Sequence, residues 1–264
     1  MVPDNTGSTG TRYSAELLGG KYALLKEELA FKDEKSRIVS NEHIDRLGAA
    51  NIFVVISSKS GAGFARTAYT DILLSLFNAF SISSTEHQTS SKTSHQDFLS
   101  SVSLSSTKEN IIVLLGGDTI LYDFLNALPQ NTSLTSTTKV TIVPIPCGTG
   151  NALAMSLGTT SIPTGIAKLF GVGKDGNSET KPLPLLKITI KGTTEKVIWG
   201  AVVCSWGLHA SLVADSDAPE MRAQYGPKRF AVNPFRDGLI VGGRRTTIDA
   251  CAACVSRKTD NIWC

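Results

Sequence analysis

The chain has 264 residues, of which 41% are hydrophobic, with 26 lysines and arginines set against 23 aspartates and glutamates. That length and apolar content suit one large or two small globular domains with a real core, and exclude disorder, collagen and a small disulfide scaffold as descriptions of the whole chain. A formal charge of +3 with no block of like charges gives little electrostatic reason to expect nucleic acid as a partner, while an anionic substrate or a membrane surface stays open.

Residues 1–11 are polar and lack the apolar stretch of a secretory signal. No run approaches the roughly 18 apolar residues of a spanning helix, so a soluble, cytoplasmic protein is expected. Residues 22–31 mix apolar and charged positions and suit a strand or a short helix. Residues 51–57 form a continuous apolar run that ends in Ser58-Lys59-Ser60-Gly61-Ala62-Gly63, and a helical pattern follows through Phe80. Residues 81–107 hold fifteen Ser or Thr in 27 positions, which reads as a surface insert, with Phe98, Val102 and Leu104 suggesting an amphipathic turn inside it. Residues 110–115 are a second buried strand, leading into Gly116-Gly117-Asp118 and a helix with Leu121, Phe124, Leu125 and Leu128 at three-and-four spacing. Residues 140–146 are a third, followed by Cys147-Gly148-Thr149-Gly150-Asn151 and a helix over 152–157. Three repeats of strand, glycine turn and helix predict an α/β domain built on an open parallel sheet, whose ligands sit at the carboxyl ends of the strands. After a linker over 173–184, two strands at 185–190 and 195–204 open a second unit of antiparallel β.

The five cysteines, Cys147, Cys204, Cys251, Cys254 and Cys264, are odd in number and sparse, which argues for a reducing compartment and against a disulfide framework. Cys251 and Cys254 form a CxxC without a second pair, so free thiols are expected there and no metal site is assigned.

Glycines after strands let the backbone approach a phosphate, and the N–H groups of the helix that follows supply donors, so a nucleotide is the first suspect. Arg66 and Leu153 stand where a dinucleotide fingerprint wants its third glycine, and no GxxxxGK[ST] occurs. Asp118 suits either a carboxylate that takes a hydroxyl proton or holds phosphate-bound Mg²⁺, or the N-cap of its own helix; spacing does not separate the two. His43, His87, His95 and His209 read as packing or surface residues.

Residues 111–126 (IIVLLGGDTILYDFLN) resemble the GGDGT turn of the diacylglycerol kinase catalytic domain family, and residues 144–157 (PIPCGTGNALAMSL) resemble its PxGTGN turn. Residues 54–63 are similar to its first loop, and residues 204–230 (CSWGLHASLVADSDAPEMRAQYGPKRF) resemble a segment characteristic of sphingosine and ceramide kinases. The resemblance implies an ATP- and Mg²⁺-dependent lipid kinase acting on the primary hydroxyl of a sphingoid base or related lipid at a peripheral membrane surface, and it leaves room for a homodimer. It implies a nucleotide-binding α/β domain over residues 49–178, after an N-terminal extension over 1–48, and a partial antiparallel β-sandwich over 179–264. Asp118 would be the general base. Gly116, Gly117, Gly148, Thr149, Gly150 and Asn151 would line the nucleotide, with Lys59, Ser60, Gly61 and Gly63 closing over it and Thr85 near the adenosine. Asp217 would meet the long-chain base, and Arg222 and Arg229 would hold phosphate.

The sequence departs from that pattern in places. Ser57-Ser58 replaces Asn-Pro, and Thr119 replaces the third glycine of GGDGT, where a side chain is harmless only at negative φ. A late Asp-Gly-Glu is missing, with only Asp175-Gly176-Asn177 and Asp237-Gly238-Leu239 offered, so a truncated chain is expected. The alternatives are a non-catalytic nucleotide- or lipid-binding relic and a nucleotide kinase of the NAD-kinase type. The acidic and basic residues of the fourth motif also suit a merely solvated face.

Overall fold

The computed structural model describes residues 2–3, 9–19, 21–30, 39–91, 93–172, 180–190, 195–204, 208–229 and 262–263. They fall into two compact units, Met1–Leu185 with Lys258–Cys264, and Leu186–Arg257. The first unit begins with β1 (Val2–Pro3), β2 (Thr9–Leu18) and β3 (Lys21–Ala30), an antiparallel sheet in that order. The undecided stretch after residue 21 is therefore strand. Period-two spacing places Tyr22 and Leu24, opposite Leu17 and Ala15, against the core of the unit, and cross-strand pairing decides what local pattern leaves open.

Helix α1 (Asn41–Ala49) starts on Ser40, whose hydroxyl accepts from the N–H of His43 at 3.2 Å. Strand β4 (Asn51–Ile56) leads through the first glycine loop to one continuous helix, composed of α2 (Phe64–Thr67), a π-helical turn Ala68–Leu73 and α3 (Leu74–Ala79). The Ser/Thr-rich stretch contains strand β5 (Thr85–Gln88) and helix α4 (Ser94–Ser101), on which Phe98 and Leu99 are buried. There follow β6 (Asn110–Gly116), α5 (Asp118–Ala127), β7 (Val140–Pro146), α6 (Ala152–Ser156) and α7 (Ile162–Leu169).

In the second unit β8 (Leu186–Ile190) and β9 (Lys196–Gly200) pair antiparallel, and α8 (Leu208–Ser216) and α9 (Pro219–Tyr225) follow. Of the expected β-sandwich, this pair is what the described residues contain. Strand β10 (Ile262–Trp263) belongs to the first unit and completes its main sheet in the order β10-β7-β6-β4-β5, with every pairing parallel.

The fold is thus α/β, with antiparallel pairs beside the parallel sheet. The apolar runs read from the sequence are buried on both faces, as a parallel sheet between helices requires. Ile52, Val54 and Ile56 with Ile111, Val113 and Leu115 join Leu73, Phe77 and Ile166 in one cluster. Phe53 points away from that cluster to Phe98 of α4, ring centroids 6.1 Å apart. Phe124 of α5 is fully buried. No helix among the described residues is long and apolar enough to cross a membrane.

At the amino ends of the strands, away from the glycine loops, Glu109 takes a two-pronged contact from Arg46 at 2.8 Å on each oxygen and a hydroxyl from Thr141 at 2.6 Å, with Lys139 at 3.5 Å. Burial alone would raise its pKa. The Arg46 and Thr141 hydrogen bonds and the two cations outweigh it and hold the group down at about 2, against an ordinary 4.5. Because the folded value is the lower one, this stabilisation is complete above pH 4.5 and fades as pH falls from there through about 2. Glu109→Gln is expected to cost about 2 kcal/mol at pH 7, once solvent screening of the half-exposed arginine is allowed for, and to flatten the acid limb of a melting-temperature profile. Equal profiles for the two proteins would show that the cluster adds nothing.

Candidate active site

The three glycine loops emerge from the carboxyl ends of β4, β6 and β7, which are neighbours in the sheet. In the first loop Ser60 closes a turn on Ser57, through its N–H to the carbonyl at 3.1 Å and its hydroxyl to the Ser57 hydroxyl at 2.7 Å. Local serine hydrogen bonds thus shape the turn that lacks Asn-Pro. Gly61 sits at φ +54°, and a β-carbon there would lie 2.5 Å from the carbonyl oxygen of Cys147, so the first loop lies directly on the third.

The second and third loops meet backbone to backbone. A β-carbon on Gly148 would stand 2.4 Å from Cα of Gly117, and one on Gly117 would stand 2.6 Å from the carbonyl of Gly150. The N–H groups of Cys147 and Gly148 donate to the Gly116 carbonyl at 3.0 and 3.2 Å, and that of Asp118 to the Gly150 carbonyl at 3.1 Å. Asn151 closes the third loop on itself, accepting from the Gly148 N–H at 3.0 Å and donating to its carbonyl at 2.7 Å. The N–H groups of Thr149 and Gly150 donate to no backbone carbonyl among the described residues, and both residues are exposed. These are the donors left at the crest of the cradle.

Asp118 is the first residue of α5, half-buried, and does not cap its own helix. Its carboxylate reaches across to α6, accepting from the N–H of Ala152 at 2.8 Å and of Leu153 at 3.2 Å. It also lines a small cleft with Leu114, Gly117, Leu121, Pro144 and Asn151. A carboxylate has about four lone-pair sites, so two remain for a hydroxyl or a cation. Thr119 lies exposed in the first turn of α5, and Ser81 is the one non-glycine residue with positive φ among those described, so the missing glycine causes no backbone strain there.

Lys59 is exposed on the first loop, and Gly63, at φ +82°, is the N-cap of α2. Thr85 lies at the amino end of β5, paired with Phe53. The loop edge of that strand is occupied by Thr89, whose N–H donates to the Ile56 carbonyl at 2.9 Å and whose carbonyl accepts the Ser58 hydroxyl at 3.3 Å. Thr89 was legible in the sequence only as one of many hydroxyls in a Ser/Thr-rich stretch.

In the second unit Asp217, Arg222 and Arg229 converge. Arg222 forms an ion pair with Asp217 and donates from Nε to its carbonyl at 3.0 Å, while Arg229, almost wholly buried, reaches Asp217 at 3.2 Å and the Gly226 carbonyl at 2.9 Å. Asp215, Glu220 and Lys228 are exposed. Both guanidinium groups are occupied by a carboxylate here, the solvated-face arrangement for Arg222 and a buried guanidinium on an exposed carboxylate for Arg229.

Cys147 is buried, and burial pushes its thiol up to about 12, so it stays protonated and is no nucleophile. His43 contacts the Leu169 carbonyl at 2.9 Å, and His87 stacks on Phe98. No cluster of metal-ligating side chains occurs among the described residues. Cys251, Cys254, Cys264, the side chain of His209 and both Asp-Gly pairs lie outside them.

The family model of the diacylglycerol kinase catalytic domain matches residues 51–184, just over half of the chain. No curated protein matches. Among solved structures, one described as a diacylglycerol kinase from Bacillus anthracis str. Sterne is similar at 21% identity and a TM-score of 0.37, over 52% of this chain and 43% of that one. Two more from the same organism, described as candidate diacylglycerol kinases, are 21% identical with TM-scores of 0.38, covering 44% and 45% of their chains. The chain therefore spans less than half the length of these structures. The family match alone, over residues that carry all three glycine loops and Asp118, decides the assignment: this chain belongs to the diacylglycerol kinase catalytic domain family.

Proposed function

We propose that the protein transfers the γ-phosphoryl group of ATP to the primary hydroxyl of a sphingoid base or a related lipid. The observation that carries this reading is Asp118, held by two backbone N–H groups at the junction of three glycine loops. The hydroxyl oxygen attacks the γ-phosphorus, the bond to the bridging oxygen breaks, ADP leaves, and Asp118 takes the hydroxyl proton. Gly116, Gly117, Gly148 and Asn151 set the cradle. Thr149, Gly150, Ser60, Gly61 and Gly63 face the phosphates, with Lys59 as the exposed cation. Thr85 is proposed as the adenosine contact from the family resemblance, although Thr89 is the residue that stands at the loop end of β5.

Asp118, one half-buried carboxylate, would be a fitting donor to a Mg²⁺ brought in by the nucleotide. Such an ion would neutralise charge on the transferring group. Asp217 is assigned to the lipid head, and Arg222 and Arg229 to phosphate, which requires them to exchange Asp217 for the ligand. Residues 49–178 act as the catalytic domain, 1–48 as an extension and 179–264 as a partial second domain. The protein meets its lipid peripherally, from the cytoplasm, and a homodimer is compatible with this.

A second reading, a nucleotide- or lipid-binding module without turnover, is favoured by Asp118 already serving as the cap of α6 and by both arginines resting on Asp217. Radiolabelled ATP offered with sphinganine, a diacylglycerol or NAD separates the readings. Transfer to sphinganine is expected. ATP binding without transfer to any acceptor would establish the second reading, and transfer to NAD alone would replace the lipid.

A further inference from the structure

The hairpin of β2 and β3 lies outside residues 51–184, the stretch that matches the family, yet it packs on the residue that directly follows the first glycine loop. Tyr22, opposite Leu17 in the pairing, packs edge-to-face on Phe64 with centroids 6.1 Å apart and planes at 73°. Phe64 directly follows Gly63, and the helix it begins has no side-chain cap, so the packing of its ring bears on where the first loop ends. Cys147 belongs to the apolar cluster that Tyr22 also packs against, and burial makes the Tyr22 phenol less acidic. The Cys147 carbonyl is the surface on which Gly61 rests. Tyr22 therefore packs on the residue that follows the first loop and on the cluster that holds the residue on which that loop rests.

Resting on the nucleotide reading of those loops, we infer that Tyr22 is a positioning residue that clamps the first glycine loop onto the third, making the N-terminal hairpin part of the frame of the nucleotide site. Glycine-rich loops have many accessible backbone states, and a ring packed against their base narrows them before ligand arrives. The hydroxyl is dispensable in this role; the ring is not. Tyr13 supplies the comparison, since it sits on the same hairpin but packs on Phe80 at the far end of the helix, 5.7 Å between centroids.

The test combines an ATP titration with hydrogen exchange of the amides of residues 58–63 and 147–153 in ligand-free protein. Tyr22→Ala is expected to speed exchange in both loops and to raise the ATP dissociation constant about tenfold, as when the competent arrangement falls to about a tenth of the population. Tyr22→Phe keeps both readings at wild-type values, and Tyr13→Ala lowers the melting temperature without changing ATP affinity. Should Tyr22→Ala not fold, Phe64→Leu keeps an apolar side chain there while removing the ring pair and is expected to give the same two changes. Wild-type exchange in Tyr22→Ala, a Tyr22→Phe protein as weak as the alanine variant, or an equal loss of affinity in Tyr13→Ala would each overturn the clamp. A wild-type protein that ATP does not bind would instead sink the nucleotide reading, while loop exchange still decides the clamp.

Discussion

Asp118→Asn is expected to remove phosphoryl transfer almost completely while leaving a folded protein that still binds ATP. An amide keeps one oxygen for the N–H of Ala152 or Leu153, so most of the cap of α6 survives, and loss of the second, charge-assisted contact costs about 1 kcal/mol. What the amide cannot do is accept the hydroxyl proton, which is worth about 10²–10⁴ in rate for a positioned base. Asp118→Ala removes the cap as well and is expected to be less stable than Asp118→Asn by about a further 1 kcal/mol, at similarly low activity. Single-turnover transfer and thermal melts on the same samples check both. A fully active Asp118→Asn protein would leave Asp118 as a helix cap and nothing more.

Gly148→Ala is expected to be strongly destabilising. The new β-carbon would stand 2.4 Å from Cα and 2.7 Å from N of Gly117, and these are backbone atoms of a loop anchored by the Gly116 carbonyl, with no flexible side chain to swing away. Forcing two loops apart costs about 3 kcal/mol, at the upper end for overpacking, and would lower the melting temperature by roughly 6–12 °C in a chain of this size. ATP affinity should fall with it, because the cradle is the contact being broken. Gly150→Ala is the internal comparison: its β-carbon would meet the nearest atom, Oδ2 of Asp118, at an ordinary 3.5 Å. Gly48→Ala, within α1 and facing open space, should stabilise by up to about 1 kcal/mol. If Gly148→Ala melts with wild type, the loops are not in backbone contact.

Local pattern carried the sheet. Continuous apolar runs at 51–57, 110–115 and 140–146 became the central strands β4, β6 and β7 because only a strand covered on both faces buries every side chain of such a run. Leu121, Phe124, Leu125 and Leu128, a helical stripe in the sequence, are buried in the structure, and the glycine turns fall at the strand ends where they were expected. The mixed stretch after residue 21 carried no such signal, since its alternation is half polar and only the pairing with β2 and the core selects the strand.

By itself, then, the amino-acid sequence determined the α/β class, the places of the three loops and the family motifs on them, because these follow from side-chain periodicity and from residue types within a few positions. Only the tertiary structure decided that Asp118 caps a helix 34 residues further on, that Gly117 and Gly148 touch, that Glu109 is held by Arg46 from 63 residues away, and that Tyr22 packs on Phe64. Such contacts are created by the order and register of parallel strands, which bring distant turns to one sheet edge, and no local pattern encodes which residues will meet there.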